Sequence, residues 1–166
     1  HLGVGACATG GRAAGAAGHP FEGNISAEFV SAIKSWGNNA VRIPLNEQCW
    51  LGLNGAKPGG SDYQKAVGHF VTLLTQAGIA AILDLHIAAD GSTRATKQVA
   101  MPDKSHAVAF WSGVAAYFAD NPLALFEMYN EPFPDYSKVS GRSWDCLQTS
   151  ACDDVSGVGY PAAGMN

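Results

Sequence analysis

The sequence predicts an α/β fold assembled from successive parallel βα units, and three stretches predict it. NNAVRIPLNEQCW holds a candidate strand from Ala40 to Leu45, and AGIAAILDLH holds one from Ile79 to His86. LALFEMYNEPFP, Leu123 to Pro134, holds a third that ends in Asn130, Glu131 and Pro132. Apolar runs of this kind mark parallel strands covered on both faces. Arg42, His86 and Glu131 recur at intervals of about 45 residues, room for one strand, one helix and two loops. Right-handed winding of such units puts every strand's carboxyl end on one rim, where an α/β barrel keeps its chemistry. Proline cannot continue a ladder, so Pro132 leaves Glu131 at the exit of the sheet. There the carboxylate faces a cleft or, in the plainer reading, solvent.

Taken in order, His1 to Gly18 is rich in glycine and alanine and reads as loop, or as a poor first strand at Leu2 to Ala8. Gly3 and Gly5 alone do not make a nucleotide-binding fingerprint. Ser26 to Gly37 is predicted helical: Ser26 caps it, Glu28 sits in the first turn, Gly37 ends it, and Phe29, Val30, Ile33 and Trp36 form its apolar stripe. Arg42 lies inside an apolar strand and needs a partner, which Asp84 or Glu127 offers at matching depth on the next two strands. Beyond Pro44 a long glycine-rich loop runs to Gly60, the type that builds a wall above a rigid sheet.

Asp62 to Ala77 is the second predicted helix, with Tyr63, Val67, Phe70, Val71 and Leu74 inward and His69 outward. Asp84 and His86 share a strand face, and with no third ligand at a typical spacing that pair is not expected to hold a metal. Ala88 to Lys104 reads as a polar loop with few apolar anchors. Ser105 is placed to cap a third helix whose buried face is Val108, Trp111, Val114, Ala115 and Phe118. Asp120, Asn121 and Pro122 then turn the chain into its third strand, and beyond Pro134 regular pattern is scarce.

With 166 residues the chain suffices for one domain with a core, and falls short of the roughly 250 residues of a complete eight-unit barrel. Net charge is −4 and no basic stripe exists, which excludes nucleic acid as an expected partner. No apolar run approaches membrane-spanning length, so no membrane partner is expected. A charged segment followed by an apolar one is also missing from the start, so any export signal is expected to have been removed already. Four cysteines, Cys7, Cys49, Cys146 and Cys152, allow three pairings, and their wide spacing favours disulfides over zinc. Disulfides imply a secreted protein.

Together NAVRIPLNEQCWLG, ILDLH, AFWSGVAAYFADNP and FEMYNEP, in that order, resemble the amino-terminal half of a family 5 glycoside hydrolase, the cellulase family of the TIM-barrel clan, from about Phe21 to Asn166. The resemblance implies a single domain over residues 1–166, half of a TIM (β/α)8 barrel with about four parallel βα units. It implies the disulfides Cys7–Cys49 and Cys146–Cys152. It also implies hydrolysis of β-1,4-glucosidic bonds in cellulose or a related β-glucan, polysaccharide or oligosaccharide, with no cofactor and no metal. Glu131 matches the family's acid/base position, and Asn130 the residue that hydrogen-bonds the sugar's 2-hydroxyl. His86 would hydrogen-bond the sugar, and Arg42 would brace the carboxylates. Trp50 would either stack on a pyranose face or bury itself beside the disulfide. Tyr136, Trp144 and the loop between Cys146 and Cys152 would form a further cleft wall or merely a stapled surface loop.

The family's nucleophile comes from a seventh strand that this stretch does not reach. Glu47 or Asp84 would then be the second acid, or two half-barrels would close as a symmetric homodimer that brings two Glu131 residues to one cleft. Carboxylates so placed would be spaced more like an inverting pair, roughly 6.5 to 9.5 Å. A carbohydrate-binding remnant without turnover is the alternative reading, and a module with no carbohydrate role is a third.

Overall fold

Three parallel strands, β1 (Ala40–Asn46), β2 (Ala80–Ile87) and β3 (Ala124–Glu127), lie side by side in chain order. They belong to a computed structural model that describes Cys7 and residues 25–134, 143–149 and 160–165. Parallel neighbours require a crossover, which α3 (Ser61–Gln76) supplies between β1 and β2 and α4 (Ala107–Tyr117) between β2 and β3, while α1 (Ala27–Ser35) leads into β1. A short α2 (Glu47–Leu51) follows β1, and α5 (Ser143–Thr149) comes last. Leu2 to Ala8, where a first strand was expected, lies outside the described residues apart from Cys7.

Local sequence explains most boundaries. Ser26 Oγ accepts from Phe29 N at 3.3 Å and starts α1. Gly37 and Gly78, at φ +80° and +74°, take the left-handed conformation that ends α1 and α3. Inside the expected loop, Asn46 Oδ1 accepts from the backbone N–H of Gln48 (3.0 Å) and Cys49 (3.3 Å), and so nucleates α2 directly from the end of β1.

The core is one cluster between sheet and helices. Ile43, Leu45, Leu83 and Leu85 of the strands meet Val30 and Ile33 of α1, Val67, Phe70, Val71 and Leu74 of α3, and Phe110 and Val114 of α4. Each such side chain contributes about 1.5 to 3 kcal/mol by leaving water. Cys7 is joined to Cys49, with Cα atoms 5.9 Å apart, and ties the amino-terminal stretch to α2. Cys146 is also disulfide-bonded, and the expected pairing with Cys152 lies outside the described residues.

Several expectations are corrected. Ser105 does not cap α4: its hydroxyl bonds the Asp90 carboxylate, while Asp103 Oδ1 accepts from His106 N at 2.8 Å. Nor are Val108 and Ala115 buried; the inward residues of α4 are Ala107, Phe110 and Val114, followed by Phe118, with Trp111 only half-buried. Trp36, expected in the apolar stripe of α1, ends the helix and is exposed. The 88–104 segment is better anchored than its polarity suggests, with Ala89, Ala95, Ala100 and Met101 buried. In β3, the edge strand among the described residues, Leu125 and Phe126 are 48% and 43% exposed, and Phe126 meets the Trp111 ring edge-on at 5.9 Å.

Candidate active site

Strand register brings the polar groups together. Arg42 stands opposite Ile82 and Pro44 opposite Asp84, while Asp84 stands opposite Glu127. Arg42 therefore reaches across both neighbouring strands. Its Nε and Nη2 donate to Glu127 Oε2 and Oε1, each at 2.6 Å, a two-point fork onto one carboxylate. Nη2 also donates to Asn130 Oδ1 at 2.9 Å and lies 3.0 Å from Asp84 Oδ2. Both acids offered by the sequence thus pair with this arginine.

The network fixes protons as well as positions. Hydrogen bonding to Arg42 holds the Glu127 carboxyl below its ordinary range. Burial pushes Asp84 up, against the pull of His86 and Arg42. Asp84 Oδ2 lies 2.6 Å from His86 Nδ1. That contact fixes the orientation of the His86 ring.

Asn130 is buried and held at three atoms. Its N–H donates to Leu85 O at 2.9 Å, which extends the β2 to β3 pairing past the end of β3. Oδ1 is taken by Arg42, and its backbone oxygen accepts from Gln98 Nε2 at 3.0 Å. With Oδ1 engaged, the amide nitrogen is the group Asn130 has to offer a ligand. Glu131 follows at φ +42°, in the left-handed region that non-glycine residues rarely enter. It is exposed, its backbone oxygen accepts from the same Gln98 at 3.3 Å, and its charge is felt by Arg42. Arg42, His86 and Asn130 are thus linked through Asp84 and Glu127, and Glu131 follows Asn130 with its charge within reach of Arg42.

Trp50 does not join them. It is 1% exposed, edge-on to Phe110 and Tyr117 with ring centres 6.1 and 5.6 Å away, and tilted against Phe118. No ring face remains for a sugar, so the stacking role is withdrawn in favour of burial. Gly113 permits that packing, since a Cβ there would fall 2.9 Å from Trp50 Nε1.

Glu47 is withdrawn too. Its Oε1 accepts from Ala89 N at 2.6 Å, and burial together with neighbouring Asp103 pushes its carboxyl up to about 10. With Asp103 and His106 it forms the one group among the described residues arranged to hold a metal. Sequence reasoning missed Gln98, Asp103 and His106. Gln98 carried no signal in a polar loop, whereas Asp103 three residues before His106, at a helix start, is a capping pattern that could have been read.

A protein-family model described as Cellulase (glycosyl hydrolase family 5) matches residues 7–156. Among solved structures, the chain is similar to a GH5-4 broad specificity endoglucanase from an uncultured bacterium, with a TM-score of 0.52 and 23% identity. That likeness, one of fold, covers 72% of this chain and 33% of the other, so the chain spans about a third of that enzyme's length. No curated protein matches the chain.

Proposed function

The chain belongs to glycosyl hydrolase family 5, and on that premise we propose that it supplies the amino-terminal half of a glycoside hydrolase that cleaves β-1,4-glucosidic bonds in cellulose or a related β-glucan. Its parallel strands are part of that family's TIM barrel. In this reading residues 1–166 form a single half-barrel domain, and Glu131 is the general acid that passes its proton to the glycosidic oxygen as the bond to the anomeric carbon breaks. Asn130 presents its amide nitrogen to the sugar's 2-hydroxyl, a contact that strengthens in the transition state. His86, oriented by Asp84, hydrogen-bonds a neighbouring hydroxyl. Arg42 acts through others, by aligning Asn130 and placing positive charge beside Glu131.

The observation that carries this reading is the position of Asn130–Glu131 at the carboxyl end of β3, with Asn130 pinned by Leu85, Arg42 and Gln98. Asp84 and Glu127, the acids of the Arg42 network, are both bound to Arg42. The second carboxylate of the reaction is therefore assigned to further βα units or to a second copy closing the ring as a homodimer. Export is part of the proposal, supported by the Cys7–Cys49 disulfide. No described helix is long and apolar enough to cross a membrane.

Release of reducing ends from carboxymethylcellulose tests the reading, with Glu131→Gln as the paired variant. Activity in the parent, reduced about 100-fold or more in the variant, is the expected result. Equal release by both would remove Glu131 from the chemistry. Retarded migration in a gel containing soluble glucan, without release by either protein, would establish the binding-remnant alternative instead.

A further inference from the structure

Glu47 opens α2 at the carboxyl end of β1, whereas Asp103 and His106 close the segment that leads from β2 to α4. One ligand atom from each of the three lies within 4.8 Å of the others. Both acids are fully buried. Each uses one oxygen for a backbone N–H: Glu47 Oε1 for Ala89 (2.6 Å) and Asp103 Oδ1 for His106 (2.8 Å). The other oxygens, Glu47 Oε2 and Asp103 Oδ2, are buried with no donor to satisfy them, and the two carboxyls lie close enough that a proton on one would bond the other. Among the described residues no lysine or arginine pairs with either acid. His106 Nδ1 is 3.4 Å from Asp103 Oδ1 and 3.8 Å from Glu47 Oε1, near both and bonded to neither. Asp90 adds further negative charge.

We propose that Glu47, Asp103 and His106 form a cation site, separate from the Arg42 network, that takes one divalent ion of the Zn2+ or Mn2+ class and fastens the 88–106 segment to the end of β1. This departs from the metal-free expectation of the sequence. Two fixed carboxylates with one spare oxygen each, and an imidazole nitrogen between them, are a ligand set for a borderline cation. Calcium, which prefers six to eight oxygens, is disfavoured by the imidazole. Ala89 O, 3.0 Å from His106 Nδ1, receives the ring's proton when no ion is bound and becomes a further oxygen ligand when one displaces it. The fastened segment carries Gln98, whose amide supports the backbone oxygens of Asn130 and Glu131. Holding that segment therefore also steadies Asn130 and Glu131. The rival is a single proton shared by the two carboxyls, which would satisfy the same oxygens without an ion.

The test uses the untagged full chain, stripped with a chelator and titrated with MnCl2 by electron paramagnetic resonance, and with ZnCl2 against a chromophoric chelator. The expected result is saturable binding of one ion per chain, at least about tenfold weaker in Asp103→Asn and unchanged in His69→Ala, which alters an exposed histidine on α3. Asparagine keeps the Oδ1 that receives the His106 N–H, so the start of α4 survives; His106→Gln is the second variant should the first fail to fold. Absence of saturable binding by the folded parent overturns the proposal and assigns the shared proton. Undiminished binding in both Asp103→Asn and His106→Gln overturns it as well.

Discussion

Replacing Arg42 with methionine keeps the apolar stem and deletes the guanidinium, and its cost follows from which partners are left behind. Arg42 and Glu127 are 30% and 38% exposed, so water screens their fork and its loss costs at most about 1 kcal/mol. Asp84 is 0% exposed and retains only His86, and the buried Asn130 loses the donor to its Oδ1. Stranding a buried carboxylate costs about 3 to 5 kcal/mol when its sole partner goes, and the surviving histidine brings this down to about 2 to 3. The total, about 3 kcal/mol, is a large part of the 5 to 15 kcal/mol that holds a domain together. Urea unfolding followed by tryptophan fluorescence measures it as a lowered midpoint at constant slope. Adding Asp84→Asn to Arg42→Met removes the stranded charge, and most of the loss should return. The reasoning is refuted if Arg42→Met costs less than about 1 kcal/mol, or if Asp84→Asn deepens the loss instead of relieving it.

Glu127 has its carboxyl pulled down by Arg42, so its contribution is present above the ordinary carboxylate range and disappears as pH falls through the lowered value. Urea midpoints of the parent and Glu127→Gln should therefore differ at neutral pH and converge in acid; a constant gap would contradict the pairing. Gly113→Ala drives a methyl group into Trp50 Nε1, whose ring is boxed in by Phe110, Tyr117 and Phe118. A loss of about 1 to 3 kcal/mol and an altered near-ultraviolet dichroism spectrum are expected, whereas an unperturbed spectrum would mean the ring has room to move. Cys7→Ala with Cys49→Ala opens a loop of sequence separation 42 and should lower stability by about 4 kcal/mol in chain-entropy terms. Thermal melts with and without reductant check this, and the double variant should lose its response at that bridge.

The sheet was legible because a charge inside an apolar strand demands a partner, and two-residue periodicity limits where that partner can be. Asp84 and Glu127 were identified as partners for Arg42 on that ground, and both bond to it. Capping made α1 legible, since Ser26 and Gly37 bracket it as read. The face of α4 was not legible: AVAFWSGVAAY is apolar nearly all round, so packing of Phe110 against Trp50, and not periodicity, selects the inward side. Burial in β3 depends on what lies beyond it, which no strand encodes in its own residues. Trp50 failed as a sugar contact because an aromatic near a rim reads alike whether it faces outward or lies beneath. Gln98 and the group of Glu47, Asp103 and His106 come together across wide gaps in the chain, where spacing has no voice.

Glu131 occupies backbone space that suits glycine or asparagine better than glutamate. Holding a longer side chain there costs on the order of 1 kcal/mol. A directed-evolution campaign that rewarded heat tolerance alone would therefore drift away from glutamate at this position, and, on the proposed acid role, one that rewarded turnover of a glucan would keep it. Residue 131 is where those two selection pressures would pull the chain apart.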